Sequence, residues 1–351
     1  MSTQIRVAVL GLGNCASSLL QGLERYKSVD DSSTPVPGLI NNSIGGYGVS
    51  DISVVAAFDV NANKVGKDVA EAIWVQPNNA RRFADVPQKG IAVSPGFLGD
   101  GITPHMQGYF PLQEAPEDVV NVLRRSRAEM CVSFLPTGSK EATHFYANAC
   151  IEAGVAFING VPEFVASEPE WVRKFERAGL PCAGDDIKSQ VGATIVHETI
   201  VELIRERGLT IANTYQLNVG GNADFDNLSN EKRLTSKRLS KTRTIARRAG
   251  TENVRAGPAG YIPFLGDRKD AIIRIEGEQF GGIPYRMSID LSIDDSPNSA
   301  GVMIDAVRLM KLSLDRKLVG YQDWSAYCFK HPLNSVSLAE ARTIARNFIA
   351  G

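Results

Sequence analysis

Three stretches of the 351-residue chain combine residue types that bind or move charge. The first, Gly11-Leu12-Gly13-Asn14-Cys15-Ala16, reads G-x-G-x-x-A between an apolar run and a stretch of small residues. The first glycine permits a tight turn, and the second lets the backbone approach a diphosphate. A small third residue lets the helix pack closely with its N-terminus facing the anion. A glycine turn needed only for packing has the same spelling, but the position, at the first strand of an alternating chain, favours a dinucleotide held by Gly11, Gly13, Asn14 and Cys15. Asp59 ends the second apolar run, where a carboxylate accepts from the adenosine ribose hydroxyls and repels a 2′-phosphate. NAD is therefore favoured over NADP, although an ordinary strand-end turn also uses aspartate. The spacing from the glycines exceeds the usual ~20 residues, and the insertion at 28–50 accounts for the excess. Ser133, Thr137, Gly138 and Ser139 end or follow a further apolar run and are expected along the carboxyl edge of a sheet, or in a turn with no ligand.

The other two stretches depart from a plain dehydrogenase. Gly184-Asp185-Asp186-Ile187-Lys188-Ser189 places two acids and a lysine at a strand-to-helix junction, and Gly220-Gly221-Asn222-Ala223-Asp224 joins flexible backbone to an amide and an acid. Downstream, Lys237 and Lys241 stand four residues apart, on one face if the segment is helical. Like charges so placed disfavour each other unless an anion such as a sugar phosphate lies between them. The basic run from Lys232 to Arg248 reads equally as such an anion site or as an ordinary charged run, usually a solvated helix face and less often a nucleic-acid patch.

These residues need elements to position them. Ile5–Leu10, Ile52–Phe58, Met130–Leu135 and Ala156–Asn159 read as strands. Cys15–Leu23, Ala62–Ile73, 118–127 and Lys140–Ala153 read as helices. Strands too apolar to have a wet face, alternating with helices, predict a parallel sheet covered on both sides, a Rossmann-like doubly wound α/β fold. The Pro/Gly-rich stretch 28–50 predicts a long loop or a hairpin insertion. After residue 210 the pattern changes: Asn213–Val219, Ala271–Glu276 and Tyr285–Ile293 alternate apolar and polar residues, as strands of an open mixed or antiparallel sheet do. Helical spacing returns over Gly301–Leu312. The expected division is a dinucleotide domain of 1–200 and 305–351, and an α+β domain of 201–304.

Composition narrows the partners. A formal net charge of -1 gives no field that would attract nucleic acid or an anionic membrane wholesale. No run of about 18 apolar residues occurs, so no membrane span is expected. Five scattered cysteines and an N-terminus without signal-peptide features predict a cytoplasmic protein with reduced thiols. His105, His144, His197 and His331 are not spaced as a metal cluster, and the three tryptophans read as core or interface.

GDDIKSQ, LNVGGNADF, SKRLSK, GDRKDA, DDSPNSAGVMIDAVR and the Lys330-His331-Pro332 tail resemble, in order, the signature blocks of the inositol-3-phosphate synthases. The opening VLGLGNCASSLLQGLE resembles the prokaryotic branch of that family, and the likeness runs from about residue 5 to 350. The resemblance implies that Lys237, Lys269 and Lys330 surround the reacting oxygens and that Lys241 contacts phosphate with help from the loop at Ser189. It implies that Asn222, Asp186, Asp224 and Asp295 hold hydroxyls and orient lysines, with Asp186 also beside the cofactor. Where some relatives have Ser-Gly-Gln-Thr, this chain has Ser189-Gln190-Val191-Gly192. The implied reaction is redox-neutral. NAD oxidises C5 of glucose 6-phosphate, an enolate closes on the C1 aldehyde, and re-reduction gives 1D-myo-inositol 3-phosphate. The resemblance makes 201–304 the catalytic and oligomerisation domain, through which a homotetramer forms, and a monovalent or divalent cation is a further family expectation; the sequence shows no ligand set for the cation. Rival readings are a relative that cyclises fructose 6-phosphate, a conventional NAD-dependent sugar dehydrogenase, and a dinucleotide-sensing or nucleic-acid-binding protein.

Overall fold

Seven runs of apolar or small residues pair side by side as parallel strands: β1 (Ile5–Leu10), β2 (Ile52–Asp59), β3 (Ser94–Pro95), β4 (Met130–Ser133), β5 (Ala156–Asn159), β6 (Pro181–Ala183) and β11 (Gly320–Tyr321). Their order is β11-β6-β5-β4-β1-β2-β3. Without β11 this is the doubly wound order 3-2-1-4-5-6, whose switch point lies between β1 and β4. Side chains alternate along each strand. Ile5, Val7 and Val9 pack with Val132, Ile158, Leu19 and Met303 on one face, whereas Ala8 and Leu10 pack with Phe58, Phe157, Leu123 and Phe175 on the other. Each such large side chain, fully buried, contributes about 1.5–3 kcal/mol. Helices Asn14–Arg25 and Asp295–Asp315 supply the first cover, and helices Val119–Arg125, Lys140–Ala153 and Pro169–Arg177 the second.

In this computed structural model the described residues are 4–103, 106, 108–113, 115–228, 242, 245, 246 and 248–351. They divide into two units, Met1–Lys188 with Ser299–Gly351, and Ser189–Asn298. The sequence-based boundary at 200 falls within the helix Ala193–Glu206. Among the described residues no helix is long and apolar enough to cross a membrane.

Two segments of the first unit are ordered by polar anchors rather than by periodicity. The expected helix over Ala62–Ile73 is helical only at Val69–Ala72. Asn61 Oδ1 accepts from Asn63 N, Gly66 sits at φ +81, and the backbone of Gly66 and Val69 donates to Val93 and Ile91 instead of propagating a helix. The 28–50 stretch is an irregular loop, as expected. Asn42 ties it internally by donating to the Asp30 and Ser33 carbonyls. Asp305 and Arg308, buried on the long helix, bond Ile40 N and the Asn42 carbonyl.

The second unit is a mixed sheet, ordered β10-β9-β7-β8, of β7 (Asn213–Gly220), β8 (Val254–Tyr261), β9 (Arg268–Gln279) and β10 (Ile283–Asp294). β8 runs parallel to β7; the other pairs are antiparallel. Helix Ala193–Glu206 covers one face with Val201 and Ile204 against Ile273 and Ile275. On this face His197 is fully buried, its Nε2 2.6 Å from Thr214 Oγ1 and its Nδ1 3.3 Å from the Gln216 side-chain amide. Burial lowers the His197 pKa to about 4. The unfolded chain, with an ordinary value near 6.5, then binds the proton that the folded state refuses. The contribution of the neutral ring is present above pH ~6.5 and is lost as pH falls through about 4. The stability advantage of wild type over His197→Gln should shrink by on the order of 3 kcal/mol between pH 7 and 4. Urea unfolding of both proteins across that range would check this, and parallel pH profiles would refute it.

Candidate active site

Parallel pairing brings the functional residues of the first unit to one edge. Leu10 stands opposite Phe58 on β2 and Ser133 on β4, so Gly11, Asp59 and Ser133 share the carboxyl edge at the switch point. Gly11 adopts φ +80, and a Cβ there would lie 2.9 Å from the Phe134 carbonyl oxygen, so the turn requires glycine. Gly13 is the N-cap of helix Asn14–Arg25, and a Cβ there would meet nothing within 4 Å, which leaves its backbone open to a ligand. Ala16 is buried, as close helix packing needs. Asn14 pairs with Asn79, and Cys15 Sγ accepts from Ser299 Oγ at 3.7 Å.

Asp59 holds the glycine loop as well as facing it: Oδ2 accepts Leu12 N–H at 2.8 Å and Oδ1 accepts Asn61 N–H at 2.9 Å. A carboxylate has about four acceptor sites, so capacity for ribose hydroxyls remains. Ser133 Oγ is buried without a hydrogen-bond partner among the described residues, a polar atom that a ligand can satisfy. Thr137 is buried, Gly138 N donates to Glu163 Oε1 at 2.8 Å, and Ser139 Oγ turns back to the Pro136 carbonyl. The open Gly13 backbone, the required turn and the orphaned Ser133 hydroxyl together fit a dinucleotide.

Farther along the same edge, β6 runs into Gly184-Asp185-Asp186. Asp185 is fully buried and accepts from Asn159 Nδ2, Val165 N, Ala166 N, Ser167 N and Ser167 Oγ, at 2.7–3.2 Å. Burial pushes its pKa up to about 6 against the pull of these donors. Asp186, at φ 61, receives the Lys330 ammonium on Oδ1 at 2.7 Å, and the Lys330 backbone N–H donates to the Asp186 carbonyl at 2.7 Å. His331 Nε2 is 3.9 Å from Asp186 Oδ2. The pair is thus set by backbone as well as side chain.

In the second unit, Lys269, the second residue of β9, stands opposite Gly220, the last residue of β7, and its ammonium pairs with Asp295 just beyond β10. Asn222 caps helix Ala223–Asn227 through Oδ1, which accepts from Asp224 N and Phe225 N, and its Nδ2 donates to Asp267 Oδ1 at 3.2 Å. Asp267 also accepts from Ser296 N and Oγ. Asp224 is partly buried on that helix's first turn. Ser189 begins the unit in a loop closed by Gln190 N donating to the Asn298 carbonyl. Lys237 and Lys241 lie outside the described residues. Among the described residues no three His, Cys, Asp or Glu side chains group to hold a metal ion.

Over 358 residues, covering 99% of this chain and 98% of the relative, the sequence is 47% identical to the inositol-3-phosphate synthase of Mycolicibacterium smegmatis. The chain belongs to the inositol-3-phosphate synthase family. By that membership it is an enzyme of the intramolecular-lyase class of isomerases. The family model for myo-inositol-1-phosphate synthase matches residues 192–296. Two solved structures share the family fold over 99% of this chain and 98% of theirs, each with a TM-score of 0.82. They are Ari2, 37% identical, and a myo-inositol-1-phosphate synthase-related protein from Thermotoga maritima, 25% identical.

Reading by residue type noted Asp185 as one of two acids after β6 but gave it no role, and it passed over Asp267. Asp267 had a signal, since residues 267 and 269 fall on one side of an extended chain. Asp185 had none beyond its neighbour, because its partners lie 18 to 26 residues away.

Proposed function

We propose that this family member is an NAD-dependent inositol-3-phosphate synthase acting on D-glucose 6-phosphate. The observation that carries the reading is the shared carboxyl edge of one parallel sheet. The G-x-G-x-x-A turn sits at the switch point, and the Lys330–Asp186 pair follows β6, three strands away. At ~4.8 Å per strand, that separation is roughly 14 Å, a span suited to a dinucleotide lying between its diphosphate loop and a reacting centre.

When bound, NAD supplies the acceptor and donor of the hydride at C5. The protein's own residues do the rest. Gly13 and the helix N-terminus face the diphosphate, and Asp59 has acceptor capacity for the adenosine ribose. Lys330, held by Asp186, places a fixed positive charge where a sugar oxygen becomes anionic, and Lys269, held by Asp295, does the same in the second unit. Preorganised cations of this kind lower the barrier to enolisation and aldol closure. An ammonium bonded to a carboxylate also has a proton to give and a partner that orients the giving. Lys237 and Lys241 are assigned to the C5 oxygen and the phosphate on the family blocks alone.

The test is turnover of glucose 6-phosphate with NAD, the product identified by NMR and NADH followed by absorbance. 1D-myo-inositol 3-phosphate without net NADH is the expected result. A cyclic product from fructose 6-phosphate alone would overturn the substrate, and steady NADH release would overturn the redox-neutral reaction.

A further inference from the structure

The glycine loop is held from beneath by a charged residue to which the reaction assigns no role. Lys64 lies in the turn after β2 and is 4% exposed. Its Nζ donates to the Leu12 carbonyl at 2.8 Å and to Asn78 Oδ1 at 3.1 Å, and stands 3.7 Å from Asp59 Oδ2. Asn78, also buried, donates its Nδ2 to the same Leu12 carbonyl at 2.8 Å and to the Ile73 carbonyl at 2.9 Å. Leu12 N–H is bound by Asp59. The residue between the two glycines is therefore fixed at both its N–H and its C=O.

Peptide planarity converts this clamp into a direction. The Leu12–Gly13 bond is trans, and in a trans unit the carbonyl and the next N–H point in opposite directions. Two buried donors draw the Leu12 carbonyl inward, so Gly13 N–H points outward, and the space beside Gly13 is open. Charge matters as well as direction. A neutral donor could hold the carbonyl, but it would leave the Asp59 carboxylate uncompensated beside the loop that must receive a diphosphate. A buried ammonium is weakly screened, and burying it is tolerable because Asp59 stands against it.

We propose that Lys64 is a positioning residue for the dinucleotide: it aims the Gly13 N–H at the diphosphate and cancels the charge of Asp59, with Asn78 as its neutral assistant. The inference rests on the dinucleotide reading above. It assigns the effect to the diphosphate, not to the nicotinamide or the adenine.

Calorimetric titration of the full chain with NAD, ADP-ribose and adenosine tests this. Lys64→Met should weaken NAD and ADP-ribose equally, by about tenfold or more, and leave adenosine within about twofold. Asn78→Ala removes one of two donors and should weaken the same two ligands by a smaller factor. Folded Lys64→Met with unchanged affinity for ADP-ribose would overturn the proposal. So would an equal loss for adenosine, which marks general loosening of the pocket. Should Lys64→Met not fold, Asn78→Ala decides alone, and unchanged ADP-ribose binding there overturns the clamp. Wild-type protein that binds neither NAD nor ADP-ribose would instead overturn the cofactor reading itself.

Discussion

Lys330→Ala is expected to lower turnover of glucose 6-phosphate by roughly 10²–10³-fold while NAD binding is retained. The Lys330 side chain is buried enough for its charge to act with little screening, and Asp186 fixes it from one side. Truncation removes the cation but also takes the ammonium from the Asp186 carboxylate, 8% exposed, and so destabilises the protein for a reason unrelated to chemistry. In the double variant Lys330→Ala/Asp186→Asn stability should recover and turnover should not, which would show that the lost turnover is not a lost fold. Lys269→Ala should lose turnover to a similar degree, because its ammonium is held by Asp295 in the same manner. Steady-state kinetics and NAD titration of each variant check this. A kcat within about threefold of wild type for Lys330→Ala would remove that lysine from the chemistry.

Asp185→Ala carries the largest expected effect on stability, a loss of about 3–5 kcal/mol. Five donors converge on this fully buried carboxylate, from Asn159 on β5 and from the turn Val165–Ser167. Alanine leaves all five without their acceptor, and unsatisfied buried donors cost about 1–3 kcal/mol each when nothing relaxes. Ser167→Ala, which removes only one donor, should cost about 1 kcal/mol. The damage should also reach the active site, since Asp185 exchanges backbone hydrogen bonds with His331, beside Lys330. Urea unfolding of the three proteins measures the stability order. Asp185→Ala as stable as Ser167→Ala would refute the anchoring role.

Much of this organisation is legible in local sequence, and the reason is that it depends on neighbours. Helix Lys140–Ala153 and strand Ala156–Asn159 fall at their expected bounds because periodicity and a helix-ending glycine at 154, in the left-handed conformation, act over a few residues. The G-x-G-x-x-A turn is likewise local, as its glycines are needed for backbone conformation and approach. Strands β3, β6 and β11, of two or three residues, are too short for a period to register and exist only through the sheet beside them. Helix Pro169–Arg177 and the parallel pairing of β8 also went unread. The same limit governs the site. Residue type marked Asp186 as capable of chemistry, and the family blocks supplied Lys269 and Lys330. Only tertiary structure decided that Asp59 anchors Leu12, that Lys64 lies under the glycine loop, and that Asp185 gathers a turn while Asp186 meets the lysine. Hydrogen bonds between residues 18 to 144 positions apart leave no periodic trace in a chain; they are set by which strand lies beside which.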